Sequence, residues 1–144
     1  MIREGYLADW PMLLDGPVVS VRGAFHPNAE GEGSAHAYVA LANGALFKFY
    51  YWRLIVGGES AVTSFDHLSR LGGPPIDAIA QLTAALEGQH CLRAELDLTR
   101  GDIALLLGNG TRLEALRIRT LFEDWEVEGP DSSLYWSNMI WKRP

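Results

Sequence analysis

The sequence predicts an α+β domain, mainly antiparallel β-sheet from two related hairpin units with one main α-helix over about 75–87 packed on the sheet. Three observations carry this expectation. Asn-Gly occurs twice, at Asn43-Gly44 and Asn109-Gly110, each time between two apolar runs. That dipeptide tolerates the positive φ angles of a type I′ turn, whose twist suits an antiparallel hairpin. Only one stretch, between the two halves, repeats its apolar residues at helical spacing. Matched elements also follow one another in the same order on either side of that stretch.

In chain order, Val18-Val19-Ser20-Val21-Arg22 reads as the first strand, and the polar residues 26–34 as a surface loop without apolar period. Ala37 to Leu41 and Ala45 to Phe49 flank the first Asn-Gly turn, and Trp52-Arg53-Leu54 before Gly57-Gly58 forms a further element. Residues 68–74 make a stiffer connection. Pro75 suits a first helical turn because its missing N–H is not needed there, Asp77 puts negative charge at the positive end of the macrodipole, and Gly88 supplies the stop. Ile79, Leu82 and Leu86 form the apolar stripe, with Ile76 and Ala85 at its margins.

On the next strand, Cys91 to Leu98, alternation puts Leu92, Ala94, Leu96 and Leu98 on a buried face and Cys91, Arg93, Glu95 and Asp97 on a wet one. Ile103 to Leu107 and Thr111 to Leu116 flank the second turn. A change of parity between Leu113 and Leu116 predicts a bulge near Ala115. The shared elements Leu14-Asp15-Gly16 and Leu86-Glu87-Gly88, the two turns, and the Trp52 and Trp125 segments define repeat-like units of about 14–58 and 86–136 in one domain spanning 1–144.

Composition narrows the function classes. A chain of 144 residues can bury roughly two thirds of its unfolded surface without disulfides or metal. Its single cysteine, Cys91, cannot form an internal bridge, which favours a reducing, cytoplasmic setting. Neither a secretory signal nor a membrane-spanning apolar run is visible. The formal net charge of −6 argues against nonspecific nucleic-acid binding, which depends on Lys and Arg neutralising phosphates.

No cofactor is expected. His26, His36, His67 and His90 are scattered without metal-ligand spacing, and Gly31-x-Gly33 lacks both a third glycine and a following helix. Asp66-His67 beside Ser64 or Ser69 suggests a small hydrolase-like enzyme, since a nucleophilic hydroxyl needs a base and the base a carboxylate. Against it stand the absence of a Gly-x-Ser-x-Gly elbow and the ordinary role of Asp and His in capping loop backbone. Cys91 reads as a structural thiol, with no helix N-terminus near it.

Two surfaces are candidates for a partner. In Phe47-Lys48-Phe49-Tyr50-Tyr51-Trp52, alternation sets Phe47, Phe49 and Tyr51 on one face and Tyr50 and Trp52 on the other. Such a strand is either central and covered on both sides, or an aromatic patch that anchors a partner or a second copy in a homodimer. The acidic cluster Glu123, Asp124, Glu126, Glu128 and Asp131 surrounds Trp125. Alternation projects Glu126 and Glu128 together, which makes either a solvated face or a row that steers a basic partner.

With these elements in order, the chain resembles a group of small bacterial proteins of unknown function, some of them regarded as immunity proteins of polymorphic toxin systems. The resemblance runs from about Leu14 to Asp131. It is carried by Trp52-Arg53-Leu54, Ser64-Phe65-Asp66-His67, Pro75-Ile76-Asp77-Ala78, Leu86-Glu87-Gly88, Gly101-Asp102-Ile103-Ala104-Leu105 with Asn109-Gly110, and the segment Glu123 to Asp131. Residues 26–34 and Trp141 to Pro144 lie outside it. It implies a non-enzymatic protein-binding domain that neutralises a cognate, basic toxin domain, and it brings no catalytic residue. The competing expectations are the hydrolase-like enzyme and a structural homo-oligomer.

Overall fold

The computed structural model describes residues 15–27, 33–68, 74–97, 99–118, 123–130 and 134–136. Its ten strands form one sheet: β1 (Gly16–Pro27), β2 (Gly33–Leu41), β3 (Leu46–Phe49), β4 (Trp52–Val56), β5 (Glu59–Thr63), β6 (His90–Leu96), β7 (Ile103–Leu107), β8 (Arg112–Ala115), β9 (Trp125–Glu128) and β10 (Leu134–Trp136). Among the described residues one helix, α1 (Ala78–Leu86), joins β5 to β6. The spatial order is β10-β9-β3-β2-β1-β6-β7-β8-β4-β5, and each pairing is antiparallel.

This corrects the expected fold class, because the domain is largely all-β rather than α+β with a main helix. The helix expected over about 75–87 is shorter and forms a connection, not a layer. Asp77 stays outside the helix as its N-cap, with Oδ1 accepting from the Ala80 N–H at 2.9 Å. Pro75 and Ile76 therefore remain in the approach. Gly88, at φ 81°, ends the element in the left-handed region where a Cβ would be strained. Ala78, Leu82 and Leu86 are buried, while Ile79 packs against β1 so closely that a Cβ on Gly23 would lie 2.5 Å from its side chain. That contact is why β1 carries glycine at this point.

The hairpin units are not self-contained. Exchanging β1–β5 with β6–β10 leaves the strand order unchanged, because the last two strands of each set cross to the other: β4 pairs with β8, and β9 pairs with β3. Register matches in detail. Val18↔Leu41 and Ser20↔Ala40 flank a shift on β1, and Cys91↔Leu107 and Arg93↔Leu106 flank the same shift on β6. At the centre Pro17 pairs with His90, and Val18 N–H donates to Gln89 O at 2.8 Å. The two Asn-Gly turns are built alike: Asn43 Oδ1 accepts from Ala45 N–H at 2.9 Å, and Asn109 Oδ1 from Thr111 N–H at 3.0 Å.

Crossing over requires the chain to leave one half-sheet for the other at Tyr50-Tyr51. The continuous aromatic strand of the sequence reading is broken there, so Phe47, Phe49 and Trp52 all enter the core. Trp52 and Trp125 are buried and reach across it. Trp52 Nε1 donates to Ala35 O at 2.7 Å, and Trp125 Nε1 donates to Gly101 O at 2.7 Å. Apolar side chains of both half-sheets and of α1 make one cluster, which includes Val39, Phe47, Leu54, Leu82, Leu105 and Val127.

Three further expectations change. Residues 26–34 are not wholly loop: β1 runs on to Pro27 and β2 begins at Gly33, with Phe25↔Ala35 and His26↔Ser34 paired. The irregularity on β6 inverts its start, burying Cys91 and leaving Leu92 51% exposed. No bulge lies near Ala115; β8 keeps regular register with β4 and β7 to its end, and the parity change simply marks where the strand stops.

Candidate functional site

The Ser64, Asp66 and His67 set does not form a chain of nucleophile, base and acid. Ser64 is fully buried and its Oγ accepts from the Trp52 N–H at 3.2 Å. Asp66 Oδ2 accepts from the Thr63 N–H at 2.7 Å, closing the turn after β5. The carboxylate beside His67 is that of Asp77 instead, with Nδ1 3.7 Å from Oδ1, and Phe25 lies edge-on to the imidazole. Ser69 lies outside the described residues. Cys91 is also buried; loss of hydration first of all pushes its thiol up to about 11, so it carries little thiolate at neutral pH. Among the described residues no group of three or more His, Cys, Asp or Glu could hold a metal ion, and no helix is long and apolar enough to cross a membrane.

Of the aromatic candidates for a partner, Phe47, Phe49 and Trp125 are fully buried and cannot serve as surface anchors. Their burial follows from the crossing strands, which cover them with the opposite half-sheet. Tyr51 is half-buried, stacked on Phe65 with ring centroids 5.3 Å apart. The acidic candidates divide. Asp124 is buried and its Oδ2 accepts from the Ile118 N–H at 2.6 Å, which makes it a structural cap. Glu123 is half-buried, and Asp131 lies outside the described residues. Glu126 and Glu128 alternate with buried Trp125 and Val127 and face outward from β9. Glu126 is 4.0 Å from Lys48 Nζ, and Glu128 has no ion-pair partner among the described residues.

Two outward faces therefore remain, one on each half-sheet. On β6–β7–β8–β4 a ladder of paired charges runs Arg53, Glu114, Arg112, Glu95, Arg93. Arg53 Nε and Nη2 donate to Glu114 Oε1 at 3.0 and 2.5 Å, and Arg112 Nε to Glu114 Oε2 at 2.8 Å. Arg112 Nη1 reaches Glu95 Oε2 at 3.2 Å, crossing β7 over the short side chain of Ala104. Arg93 donates twice to Glu95 Oε1, at 3.1 and 2.9 Å.

These bonds set the charge states. The Arg93 guanidinium, chiefly, holds Glu95 below its ordinary value against some loss of hydration, with Arg112 assisting. Burial pulls Glu114 upward, yet Arg112 and Arg53 together bring it below the usual range. Glu114 above all raises Arg112. Asp97, next to the ladder, is lowered by the backbone N–H of Arg100, by its guanidinium and by the Thr99 N–H. An open groove of about 310 Å³ runs along this face, but its guanidinium groups Arg53, Arg100 and Arg112 are each paired to its own carboxylates.

The face of β1–β2–β3–β9 is built differently. A hollow of about 520 Å³ is lined by Ser20, Arg22, Gly23, Tyr38, Ala40 and Leu46. Beyond it His26 and His36 stack with centroids 4.0 Å apart, and His36 meets Tyr50 at 4.7 Å. Sequence reasoning missed this face because Arg22, Tyr38 and Leu46 are brought together only by cross-strand register. The charge ladder left a trace, in Arg93 with Glu95 and Arg112 with Glu114 at the two-residue spacing of one strand face. Compared with protein-family models, with curated proteins and with solved structures, the chain gives no match.

Proposed function

We propose that this chain is a non-enzymatic protein-binding domain, and more specifically an immunity protein that occludes a cognate toxin through a basic toxin surface. The observation that carries the binding reading is the presentation of Glu126 and Glu128. Both project from a strand pinned in the core by Trp125 and Val127, so two carboxylates are held outward on a rigid element. Glu128 is unpaired among the described residues, and the chain as a whole carries −6. Such a row raises the association rate of a cationic partner and contributes specificity at close range. The narrower immunity reading rests on the sequence resemblance alone.

The test begins with the gene next to that of this chain. If its product stops growth when expressed alone, co-expression of this chain restores growth, and the purified pair associates at a rate that falls with salt. Reversing both charges in Glu126→Lys/Glu128→Lys then slows association by about tenfold and flattens the salt dependence. A neighbour that is harmless, or toxic but not relieved, overturns the immunity reading. Unchanged kinetics in the double variant remove β9 from the interface.

A further inference from the structure

The two outward faces share one frame, and one matched row has opposite charges on the two. Across β6, β7, β8 and β4 one row reads Glu95, Ala104, Glu114, Arg53; across β1, β2, β3 and β9 the corresponding row reads Arg22, Tyr38, Lys48, Glu126. Each charged position has changed sign. On the first face, Arg112 in the adjacent row joins the two acids Glu95 and Glu114. Leu46 holds the corresponding place on the second, so among the described residues no carboxylate joins Arg22 to Lys48. The hollow opens at this point, and Arg22 is exposed and makes no ion pair among the described residues.

We infer that the hollow receives an acidic side chain of a protein partner, whose carboxylate completes the row between Arg22 and Lys48. The lining fits that occupant. The Arg22 guanidinium can bind a carboxylate through two donors, and the hydroxyls of Ser20 and Tyr38 supply more. Ala40 and Leu46 offer apolar surface to the methylene stem. This inference rests on the reading that the chain docks a protein, and it adds a second point to that interface. The partner would set cations over Glu126 and Glu128 on β9 and a carboxylate over β2, two strand spacings or roughly 10 Å away. A partner with only basic residues at this surface would leave Arg22 facing a like charge.

Titration of the ¹⁵N-labelled full chain with the tripeptide Gly-Glu-Gly tests it. The expected result is a saturable shift of amide signals at Ser20, Tyr38 and Leu46 that Gly-Gln-Gly does not produce, weakened about tenfold by Arg22→Gln. Leu46→Glu, which places a carboxylate of the chain itself in the gap, abolishes the response while leaving the core signals in place. Equal shifts with Gly-Gln-Gly, no shift at all, or full affinity in Arg22→Gln overturns the inference. Acetate binding as tightly as the tripeptide also overturns it, by showing a small-anion pocket. In the partner assay, if Glu126→Lys/Glu128→Lys slows association while Arg22→Gln leaves it unchanged, the docking reading stands and the hollow is removed from it.

Discussion

The β6–β7–β8–β4 face and the β1–β2–β3–β9 face lie on strands with the same register and the same bulge, yet one is closed by its own charges and the other is open. The matched row differs at each charged position, and the bridge across it depends on one side chain in the row beside it. Arg112 spans two acids, whereas Leu46 spans nothing. A pleated face with its outward residues in alternation can thus be sealed or opened without altering the backbone that carries it. Face identity lies in the solvent-side rows, while the common frame is set by buried ones.

The frame should break first and most severely. Trp52 and Trp125 each fill the core and donate to a carbonyl of the other half-sheet. Trp→Ala at either position is expected to cost about 3–5 kcal/mol, from lost burial and a cavity. Trp→Phe keeps most of the ring but strips the donor from Ala35 O or Gly101 O, and should cost about 1–3 kcal/mol. Urea unfolding followed by circular dichroism measures both. Similar losses at Trp52 and Trp125 would show that the two halves share the load. A large loss at one and less than about 0.5 kcal/mol at the other would show that the matched register hides unequal roles.

What the sequence made legible was local. The positions of the turns at Asn43-Gly44 and Asn109-Gly110 could be read without knowing the fold, but their type is not the expected I′. Gly44 and Gly110 adopt φ 96° and 86° while neither asparagine has positive φ, because each turn closes one residue earlier, with Gly44 N–H donating to Leu41 O and Gly110 N–H to Leu107 O. Helical spacing likewise marked Leu82 and Leu86, although the cap at Asp77 that shortens the helix depends on a side-chain bond that periodicity does not encode. Non-local features were not legible. The crossing of β4 to β8 and of β9 to β3 alters no alternation pattern, and it decides that Phe47, Phe49 and Trp125 are core rather than surface. The shift between Cys91 and Arg93 exchanged a buried leucine for a buried cysteine, because one extra residue reverses the parity of a strand. Among the candidate site residues, alternation identified Glu126 and Glu128 as outward-facing, and register across three strands was needed to find Arg22 beside Tyr38 and Leu46.

Arg112→Leu makes the closed face resemble the open one. It removes the bridge between Glu95 and Glu114 on a half-exposed surface, for an expected loss of about 1 kcal/mol at pH 7. Both acids are held below their ordinary values by their arginine partners. Their stabilising effect is therefore complete above the unfolded carboxylate value of roughly 4.3 and is lost as pH falls through the lower folded values. Wild-type stability should decline between about pH 5 and pH 3 more steeply than that of Arg112→Leu, so the two curves converge in acid. Curves that stay parallel would mean that the ladder contributes nothing to folding.

The smallest effect is expected at the one ion pair that the open face shows among the described residues. Lys48 Nζ stands 4.0 Å from Glu126, and both side chains are 37% exposed, so hydration and mobility offset most of the attraction. The corresponding pair on the closed face, Arg53 with Glu114, has two short bonds to one carboxylate oxygen and a more buried acid. Double-mutant cycles to alanine should give a coupling of about 0.3 kcal/mol or less for Lys48 with Glu126, and nearer 1 kcal/mol for Arg53 with Glu114. In 1 M NaCl the first coupling should vanish while part of the second remains, since the Debye length shrinks to about 3 Å and a partly buried pair is screened less. Equal couplings would mean that geometry on this sheet does not govern the worth of its charges, and that Lys48 is no more available to an incoming carboxylate than Arg53 is.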